Sequence, residues 1–540
     1  MGLTTGDDLL TVPELVRHGA DHFGDRQLMV TPGRVLTYGD LGGRSRALAK
    51  RLLRSGVGKG TPVGVWFGQG PEFVIALMAV TRIGGVAVLL STFLQPRELR
   101  VAARHADLHL LIAPRVLLGR DTVSELESAW PGASEATEPL LLLDEAPFLR
   151  AVWLTGGDAP RWAVGLPDLT DLDDDPMVTD RLVEEAEDEV RPSDPMVMVF
   201  TSGATAEPKA VVHTHGGQLR HSATLARLYG FDEEVRTFTT MPLFWVGGLT
   251  VALLSHLHVG ATVITVDRIE PTEIVDLLER TGPTRVIGWT LWERLQNAPE
   301  LADRDLGWLF ELQAPSARLP RERHNSLGMT ETSGPHTGPP VSRRDEVLPP
   351  GLQGSFGPPV PGAEHRIVDP ETGLTVPDGV EGEICVRGVG LMDRIHKRER
   401  RDTFDADGWY HTGDRGFFRD GLLFFTGRST GMIKTGGANV SPREVEQVLA
   451  SLPGVQAAFV AGVPDEERGE VVGALVCPES GHVLDVATLV EEMRAQLSSY
   501  KVPRRLLVAP YEDAPWLPSG KISTPQLVEL LRLRGVDPAR

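Results

Sequence analysis

The chain has 540 residues, a length that predicts roughly two to four domains. Its 74 acidic and 54 basic side chains give a formal net charge of −20, which argues against a nucleic-acid partner or an anionic membrane surface. Only two cysteines, Cys385 and Cys477, are present, which excludes a disulfide scaffold and a cysteine-rich metal or iron–sulfur site. The first residues are acidic and carry no secretory signal pattern, so we expect a cytoplasmic enzyme.

Helical and extended patterns alternate in the first part of the chain. Leu41–Gly56 and Glu72–Ile83 are predicted to be helices that end at glycine residues. Short apolar runs follow them, at 61–67 and 86–90, and are typical of buried strands. This alternation predicts α/β layers around mainly parallel sheets. The acidic stretch 168–194 is predicted to be a solvated surface connection.

A buried strand, Met196–Phe200, leads into a segment rich in small and hydroxylated residues, 201–209. Small residues allow backbone amides and hydroxyls to converge on phosphate oxygens, and Lys209 would add a positive charge. The P-loop pattern of kinases and GTPases is absent. Taken alone, the segment is better explained as an ordinary Ser/Thr-rich turn.

Residues 237–266 contain no Asp, Glu, Lys or Arg and are long enough to cross a bilayer. However, proline and glycine residues interrupt the stretch, at Pro242, Gly247, Gly248 and Gly260. We therefore predict a strand, a loop, a buried helix and a final strand at 261–266, with no membrane span.

The C-terminal part begins after a glycine-rich break at 428–437 and is large enough to hold its own core. Its first helix is predicted from Ser441 as a cap, Pro442 in the first turn and Glu444 completing a capping box.

Four more motifs follow 201–209 in chain order: 326–332 (SLGMTET), 408–414 (GWYHTGD), Gly427-Arg428 and 518–521 (PSGK). The ordered set resembles the adenylate-forming (ANL) superfamily, which contains acyl- and aryl-CoA synthetases, peptide-synthetase adenylation domains and firefly luciferase. The resemblance runs from Leu36 to Lys521. It implies an α/β fold, with a large N-terminal domain of layered α/β subdomains at 1–427, a hinge at 428–436 and a small, mobile α+β C-terminal domain at 437–540.

The resemblance also implies roles for individual residues. Thr330, Glu331, Lys209 and Lys521 would be catalytic: Thr330 at the α-phosphate, Glu331 as the Mg²⁺ ligand, and Lys521 between the acyl carboxylate and the α-phosphate. Asp414 and Arg428 would bind the ribose. The whole ATP- and AMP-binding set is Thr201, Ser202, Gly203, Ala204, Thr205, Lys209, Ala314, Pro315, Ser326, Leu327, Gly328, Met329, Thr330, Asp414, Arg428 and Lys521. The remaining sets are an acyl pocket (Trp245, Val246, Gly247, Gly248, Gly328), hinge residues (Thr430, Gly431) and a coenzyme A contact (Gly436, Gly437).

Several residues depart from the pattern that the family usually shows. Alanines stand at positions 204, 206 and 210 in place of Thr, Gly and Gly, and Leu327 replaces an aromatic residue that stacks on adenine. Trp245 stands where most relatives have His, and Thr430 takes the usual Asp or Lys position of the hinge. We expect these changes to alter rates and affinities rather than the type of reaction.

The implied reaction uses ATP, Mg²⁺ and coenzyme A: a carboxylic acid becomes an acyl-adenylate and then a thioester. No acidic residue follows Phe244, where amino-acid-activating relatives hold an α-amine, so a bulky and mostly apolar acid is expected. One alternative is an adenylation-only enzyme that passes its product to a carrier protein or a second ligase. Another is a nucleotide-binding relative without catalysis. We expect a monomer or a homodimer.

Overall fold

The computed structural model describes residues 9–201, 209–268, 270–287, 295, 298–312, 323–343, 346–428, 431–479, 481–516 and 522–538, with the backbone alone at 310, 311 and 428. The chain divides into two compact units. The first contains the residues up to Thr92, Ala103–Phe200 and Ala210–Gly427. The second contains Phe93–Ala102, Thr201, Lys209 and the chain from Arg428 onward.

Helices and strands alternate through both units, in agreement with the predicted mixed α/β class. The helices of the described residues are α1 (Val12–Phe23), α2 (Tyr38–Arg54), α3 (Pro71–Arg82), α4 (Pro96–His105), α5 (Thr122–Ala129), α6 (Asp180–Asp188), α7 (His215–Leu228), α8 (Ser255–Leu257), α9 (Pro271–Thr281), α10 (Gly307–Glu311), α11 (Pro442–Ala450), α12 (Val486–Arg494) and α13 (Thr524–Arg534). A π-helix covers Gly247–Leu254.

Two larger sheets form the centre of the first unit. The strands up to residue 287 are β1 (Gln27–Thr31), β2 (Arg34–Thr37), β3 (Pro62–Val65), β4 (Val86–Leu89), β5 (Leu110–Pro114), β6 (Val116–Leu117), β7 (Arg120–Asp121), β8 (Ala151–Thr155), β9 (Val164–Leu166), β10 (Pro195–Thr201), β11 (Lys209–Thr214), β12 (Arg236–Thr239), β13 (Thr262–Thr265) and β14 (Arg285–Ile287). One sheet has the order β14-β12-β13-β1-β2. The other continues from β11 through β10-β4-β3-β5-β8-β9, and its β10/β4, β4/β3, β3/β5, β5/β8 and β8/β9 pairs are parallel.

The later strands build smaller sheets. They are β15 (Leu327–Met329), β16 (Gly334–Thr337), β17 (Ala363–Val368), β18 (Gly382–Gly388), β19 (Arg394–Ile395), β20 (Tyr410–Arg419), β21 (Leu422–Arg428), β22 (Ile433–Thr435), β23 (Ala438–Val440), β24 (Val455–Asp465), β25 (Gly469–Pro478) and β26 (Arg505–Val508). Strand β19 pairs antiparallel with β11, and β17-β18-β20-β21 form a sheet of their own. In the second unit β23-β22-β25-β24 form a sheet, and β26 pairs with β25.

The predicted elements of the first unit are present. Helices α2 and α3 correspond to the predicted helices, and β3, β4 and β10 to the predicted buried strands. The uncharged stretch 237–266 contains β12, the π-helix, the short helix α8 and β13, as a strand, loop, helix and strand. In the described part of the chain no helix is long and apolar enough to span a bilayer.

The expectation that 168–194 is only a solvated connection is wrong. Asp180–Asp188 form helix α6, and its Glu187 is buried. Arg82 of α3, also buried, donates from Nε to a carboxylate oxygen of Glu187 at 2.7 Å. A buried guanidinium needs a compensating carboxylate, and the acidic segment provides it.

The predicted capping box of the C-terminal unit is not formed. Helix α11 starts after Ser441 as expected, but the Ser441 hydroxyl makes no hydrogen bond to the helix. Glu444 instead accepts a hydrogen bond from Lys501 Nζ at 2.7 Å, and the same ammonium group donates to Glu98 at 2.7 Å. A buried lysine requires such carboxylates, so Glu444 serves Lys501 rather than the helix end.

Both cysteines lie on strands and are buried, Cys385 on β18 and Cys477 on β25. Burial raises the pKa of the Cys385 thiol to about 12 and that of Cys477 to about 11. Neither thiol is therefore a thiolate at neutral pH.

Candidate active site

A short turn carries Thr330 and Glu331. Strand β15 pairs antiparallel with β16, and Thr330–Thr332 form a 3₁₀ turn between them. The Thr332 hydroxyl ties the turn together, since it lies 2.7 Å from the Gly334 carbonyl and 3.2 Å from that of Met329. A Cβ at Gly328 would lie 2.6 Å from Gly334 backbone atoms, so only glycine allows the two strands to approach this closely.

The Glu331 side chain is almost buried, with 9% of its surface exposed. The hydroxyl of Tyr410 donates to its Oε1 at 3.1 Å, and the Met392 amide donates to its backbone carbonyl at 2.8 Å. Backbone and carboxylate are thus both held in place. A fixed carboxylate oxygen is the type of ligand that Mg²⁺ prefers, so the residues present fit the metal that the sequence predicts.

Asp414 lies on the same strand as Tyr410, β20, with 1% of its surface exposed. Its amide donates to Thr412 Oγ1 at 3.0 Å, and the Thr412 hydroxyl donates to the Ile384 carbonyl at 2.7 Å. The amide of Gly413 donates to Glu383 at 3.0 Å. Strand β20 therefore carries both Asp414, the predicted ribose-binding residue, and Tyr410, which contacts Glu331.

Four of the predicted acyl-pocket residues, Trp245 to Gly248, lie at the start of the π-helix, whereas the fifth, Gly328, lies on β15. The Trp245 amide donates to the Pro242 carbonyl at 3.0 Å, and its carbonyl accepts from Leu249 at 2.8 Å. The half-buried indole packs edge-to-face on Phe244, with ring centroids 5.7 Å apart. A Cβ at Gly248 would collide with the Pro242 carbonyl, so this position requires glycine. π-Helical segments occur frequently at functional sites.

Two residues of the predicted ATP-binding set that precede Thr330 differ in burial. Ser326 is exposed, whereas Leu327 is 5% exposed and packs in an apolar cluster with Ile367, Ile384 and Leu423. A contact between Leu327 and adenine stays a prediction.

Other predicted residues belong to the second unit. Thr201 ends β10 and Lys209 begins β11. Gly436 and Gly437, the predicted coenzyme A contact, form the turn between β22 and β23, with φ of 55° and 86°. Positive φ at both turn positions strongly favours glycine. Gly431 is exposed.

The remaining predicted residues lie outside the description. The backbone of Arg428 ends β21, but its side chain is not described. The predicted residues outside the described ranges are Ser202, Gly203, Ala204, Thr205, Ala314, Pro315, Thr430 and Lys521. Their roles stay predictions.

Comparison with known families decides the assignment. The family model described as AMP-binding enzyme matches residues 16–395. The chain belongs to this family. A second model, described as AMP-binding enzyme C-terminal domain, matches residues 444–521 of the AMP-binding enzyme. The membership in the adenylate-forming superfamily that the motifs indicate is confirmed.

Curated relatives match this AMP-binding enzyme along nearly its whole length. It is 28% identical over 539 residues to the putative acyl-CoA synthetase YngI of Bacillus subtilis, with 96% of each chain covered. It is 29% identical to the 3-[(3aS,4S,7aS)-7a-methyl-1,5-dioxo-octahydro-1H-inden-4-yl]propanoyl:CoA ligase of Mycobacterium tuberculosis, with 97% of this chain and 99% of the relative covered. The expected enzyme class, an AMP-forming acid–thiol ligase, agrees with these names.

Solved structures support the fold of the AMP-binding enzyme. The amide bond synthetase McbA of Marinactinospora thermotolerans matches with a TM-score of 0.75 and 25% identity, covering 96% of this chain and 99% of that one. The o-succinylbenzoate CoA synthetase of Bacillus subtilis has a TM-score of 0.71 and 23% identity, covering 95% and 97%. The predicted fold class, with a large N-terminal and a smaller C-terminal domain, is confirmed.

Sequence reasoning missed three residues that hold the Thr330–Glu331 turn: Tyr410, Met392 and His213. His213 lies on β11 and contacts the Thr330 carbonyl. Tyr410 could have been found, because it is part of the motif that contains Asp414. Met392 and His213 carry no local sequence signal. Met392 contributes only its backbone amide, and His213 has the pattern of an ordinary residue in a buried strand.

Proposed function

We propose that this AMP-binding enzyme activates a carboxylic acid with ATP and transfers the acyl group to coenzyme A. The observation that carries the proposal is the buried Glu331 carboxylate, held by Tyr410 on the turn that also contains Thr330. A carboxylate fixed in this way suits a metal bound to phosphate oxygens. The buried Asp414 on β20 also supports the proposal, because its carboxylate would accept hydrogen bonds from the ribose hydroxyls of ATP.

The first half-reaction joins two anions. An oxygen of the substrate carboxylate attacks the α-phosphorus of ATP, the bond to the pyrophosphate oxygen breaks, and an acyl-adenylate and pyrophosphate form. Glu331 would hold Mg²⁺, which neutralises phosphate charge, and Lys209 and Lys521 would add positive charge near the reacting groups. Thr330 would orient the α-phosphate, because positioning contributes much of the rate in such a displacement.

The second half-reaction forms the thioester. The coenzyme A sulfur, as the thiolate, attacks the acyl carbon of the adenylate, and AMP leaves with the electrons of the broken anhydride bond. The Gly436-Gly437 turn would bring backbone amides near coenzyme A. A hinge at 428–436, including Thr430 and Gly431, would allow the C-terminal domain to rotate. Lys521 would then leave the site and the Gly436-Gly437 turn would take its place.

The proposed acid is bulky and mostly apolar. The residues after Phe244 are Trp245, Val246, Gly247 and Gly248, none of which can pair with an amine or a second charge. The half-buried indole of Trp245 provides a large apolar surface beside the π-helix. The relative from Mycobacterium tuberculosis is named for a bicyclic propanoyl group, which is consistent with such an acid.

A second candidate is an enzyme that adenylates the acid and passes the acyl group to a nucleophile other than coenzyme A. The observation in its favour is the likeness to McbA, which is named an amide bond synthetase. A carrier protein or an amine would then be the acceptor.

The experiment measures the two half-reactions separately on a panel of fatty, aryl, cyclic and amino acids. ATP–pyrophosphate exchange reports adenylation, and AMP release with and without coenzyme A reports transfer. We expect exchange with apolar cyclic or aliphatic acids and none with α-amino acids, together with AMP release that requires coenzyme A. Exchange without coenzyme A-dependent AMP release would support the second candidate, and no exchange with any acid would contradict both.

A variant sharpens this test. Lys521→Ala should abolish exchange while transfer from supplied acyl-adenylate to coenzyme A is largely kept, because the charge at the α-phosphate is needed only in the first half. Equal loss of both halves would contradict a role of Lys521 limited to adenylation.

A further inference from the structure

One buried imidazole contacts both ends of the turn that carries Thr330 and Glu331. His213, 1% exposed, lies on β11, and its Nε2 is 2.8 Å from the Thr330 carbonyl oxygen. Its Nδ1 is 2.9 Å from the hydroxyl of Ser333, which is completely buried. Glu331 lies between these two contacts. The His213 side chain therefore contacts both Thr330, which precedes Glu331, and Ser333, which closes the turn.

The chemistry of the partners fixes the tautomer. A carbonyl oxygen only accepts, so Nε2 carries the proton and donates to Thr330. Burial lowers the pKa of His213 to about 4, so the ring is neutral near pH 7 and Nδ1 is an acceptor. The single proton of the Ser333 hydroxyl is shared between this Nδ1 and the Gly390 carbonyl oxygen, each 2.9 Å from the Ser333 Oγ. The Thr330 carbonyl also accepts from the Ser333 amide at 3.1 Å. Both lone pairs of the Thr330 carbonyl are engaged.

Ser333 closes the turn in an uncommon backbone conformation. Its φ is +57°, in the left-handed region that non-glycine residues seldom adopt. Its hydroxyl also lies 2.9 Å from the Gly390 carbonyl. A Cβ at Gly390 would lie 2.9 Å from the Thr332 carbonyl, so the backbone of the 390–392 segment packs directly on the turn. The turn is thus held between this segment and the imidazole of His213.

From this geometry we infer that His213 is a positioning residue for the adenylation half-reaction. Through its hydrogen bond to the Thr330 carbonyl, His213 orients Thr330 and Glu331 toward ATP. The inference rests on the proposed function. His213 does not touch the reacting atoms and acts only through the turn. A simple packing role would require only the volume of the ring, which leucine nearly matches; the hydrogen-bonding role requires a donor at the place of Nε2.

Two amide variants separate the two contacts of the ring. Glutamine can place an N–H where His213 has Nε2, whereas asparagine reaches only the place of Nδ1. His213→Gln should therefore keep the bond to Thr330, and His213→Asn should keep only the bond to Ser333. His213→Leu removes both bonds and retains apolar volume. Ser333→Ala removes the hydroxyl contact while His213 stays in place.

The test compares these four variants with the unchanged chain. The readouts are melting temperature, Mg-ATP affinity by calorimetry, kcat and KM for ATP in pyrophosphate exchange, and transfer from supplied acyl-adenylate. We expect His213→Gln and Ser333→Ala to stay within about threefold of the unchanged chain in ATP affinity and exchange. His213→Asn and His213→Leu should lose about tenfold or more in exchange, the size of one buried hydrogen bond, with transfer unchanged.

Exchange that is as high in His213→Leu as in His213→Gln would overturn the inference, and so would losses that follow melting temperature alone. If the unchanged chain catalyses no exchange with any acid, the proposed function fails. The calorimetric affinities then decide the role of His213 by themselves: the same order, with His213→Gln above His213→Asn and His213→Leu, supports it, and equal affinities contradict it.

Discussion

At the scale of residues, Tyr410 contacts the carboxylate on which the proposed metal site depends. Its hydroxyl donates to Glu331 Oε1 at 3.1 Å, on a side chain that is almost buried. A hydrogen bond to a charged, poorly solvated group contributes about 1.5–3 kcal/mol. Removal of the hydroxyl leaves the ring packing intact, so its effect reports the hydrogen bond itself.

Tyr410→Phe should raise the Mg²⁺ concentration that gives half-maximal pyrophosphate exchange and lower kcat/KM for ATP by about tenfold, because Glu331 Oε1 loses the hydrogen bond from the Tyr410 hydroxyl. The measurement is a Mg²⁺ titration of the exchange rate. Tyr511→Phe is the matched control, since that ring is 38% exposed in the C-terminal unit and its change should leave the titration unaltered. An unchanged Mg²⁺ titration in Tyr410→Phe would show that the hydroxyl does not position Glu331.

The sequence predicts Glu331 and Asp414 because each lies in a motif that resembles those of a known family. The contact between Tyr410 and Glu331 could not be predicted in the same way, since the two residues are 79 positions apart and meet only through the fold. His213 was missed for a similar reason: a histidine in an apolar strand reads as a core residue until its partners, Thr330 and Ser333, are known.

At the scale of elements, the π-helix begins two residues after Trp245. Its eight residues, Gly247–Leu254, follow a loop in which the Trp245 backbone is bonded on both sides, to Pro242 and Leu249. The sequence predicts a buried helix here from its uncharged apolar run. It does not predict the π form, because periodicity alone does not distinguish i→i+5 from i→i+4 bonding over so short a segment.

Trp245→Ala should broaden the range of acids that support pyrophosphate exchange, because loss of the indole opens apolar volume beside the π-helix. The measurement is the ratio of kcat/KM values over a series of acids of increasing size. Trp245→Phe is the matched variant, since it keeps a ring against Phe244 and should shift the preference less. If exchange is unchanged and coenzyme A-dependent release accelerates instead, Trp245 obstructs the thiol path rather than shaping the acid pocket.

The ion pair between α3 and α6 gives a prediction about stability. Arg82 and Glu187 are both buried, and removal of one partner from such a pair leaves an uncompensated charge at a cost of about 3–5 kcal/mol. Glu187→Gln should therefore lower the free energy of unfolding by roughly that amount. Glu185→Gln, on the same helix in the exposed pair with Arg181, should change it by less than about 1 kcal/mol. Chemical denaturation of both variants is the measurement, and equal effects would contradict the prediction.

The alternation of apolar runs predicts α2, α3, β3, β4 and β10, because the buried face of each element is visible in the sequence as regularly spaced or consecutive apolar residues. Helix α6 was missed because its sequence is mostly acidic. The role of its single buried carboxylate, Glu187, is evident only from the ion pair with Arg82 on another helix. The capping box at Glu444 was predicted from local spacing and is wrong, because Lys501, far along the chain, takes that carboxylate.

At the scale of the whole molecule, several histidines are buried and uncharged. Burial lowers the pKa to about 4 for His215, His221, His258 and His365 and to about 3 for His256. Their unfolded value is 6.5, so the unfolded chain binds more protons than the folded chain between pH 6.5 and about 4. Stability that is complete above pH 6.5 is lost as the pH falls through this range.

We expect the melting temperature to be constant from pH 8 to pH 7 and to fall steeply below about pH 6.5, with each buried histidine contributing up to about 1.4 kcal/mol per pH unit. Thermal unfolding in buffers of equal ionic strength measures this. His482→Gln serves as the control because that side chain is 57% exposed and should leave the profile unchanged. A melting temperature that stays constant down to pH 5 would contradict the prediction.

The predicted domain limits and the hinge at 428–436 stay predictions. The motifs indicate them, and the compact units separate at Gly427, but a hinge is defined by movement.

The burial of both native thiols makes such movement measurable. Alkylating dyes react with thiolates, and Cys385 and Cys477 supply almost none at neutral pH. A cysteine introduced at Val483, 98% exposed in the C-terminal unit, and another at Leu142, 75% exposed in the first unit, would become the reactive pair without any native cysteine being replaced. Energy transfer between a donor and an acceptor dye at these two positions would then follow each catalytic cycle in single molecules of an otherwise unaltered enzyme.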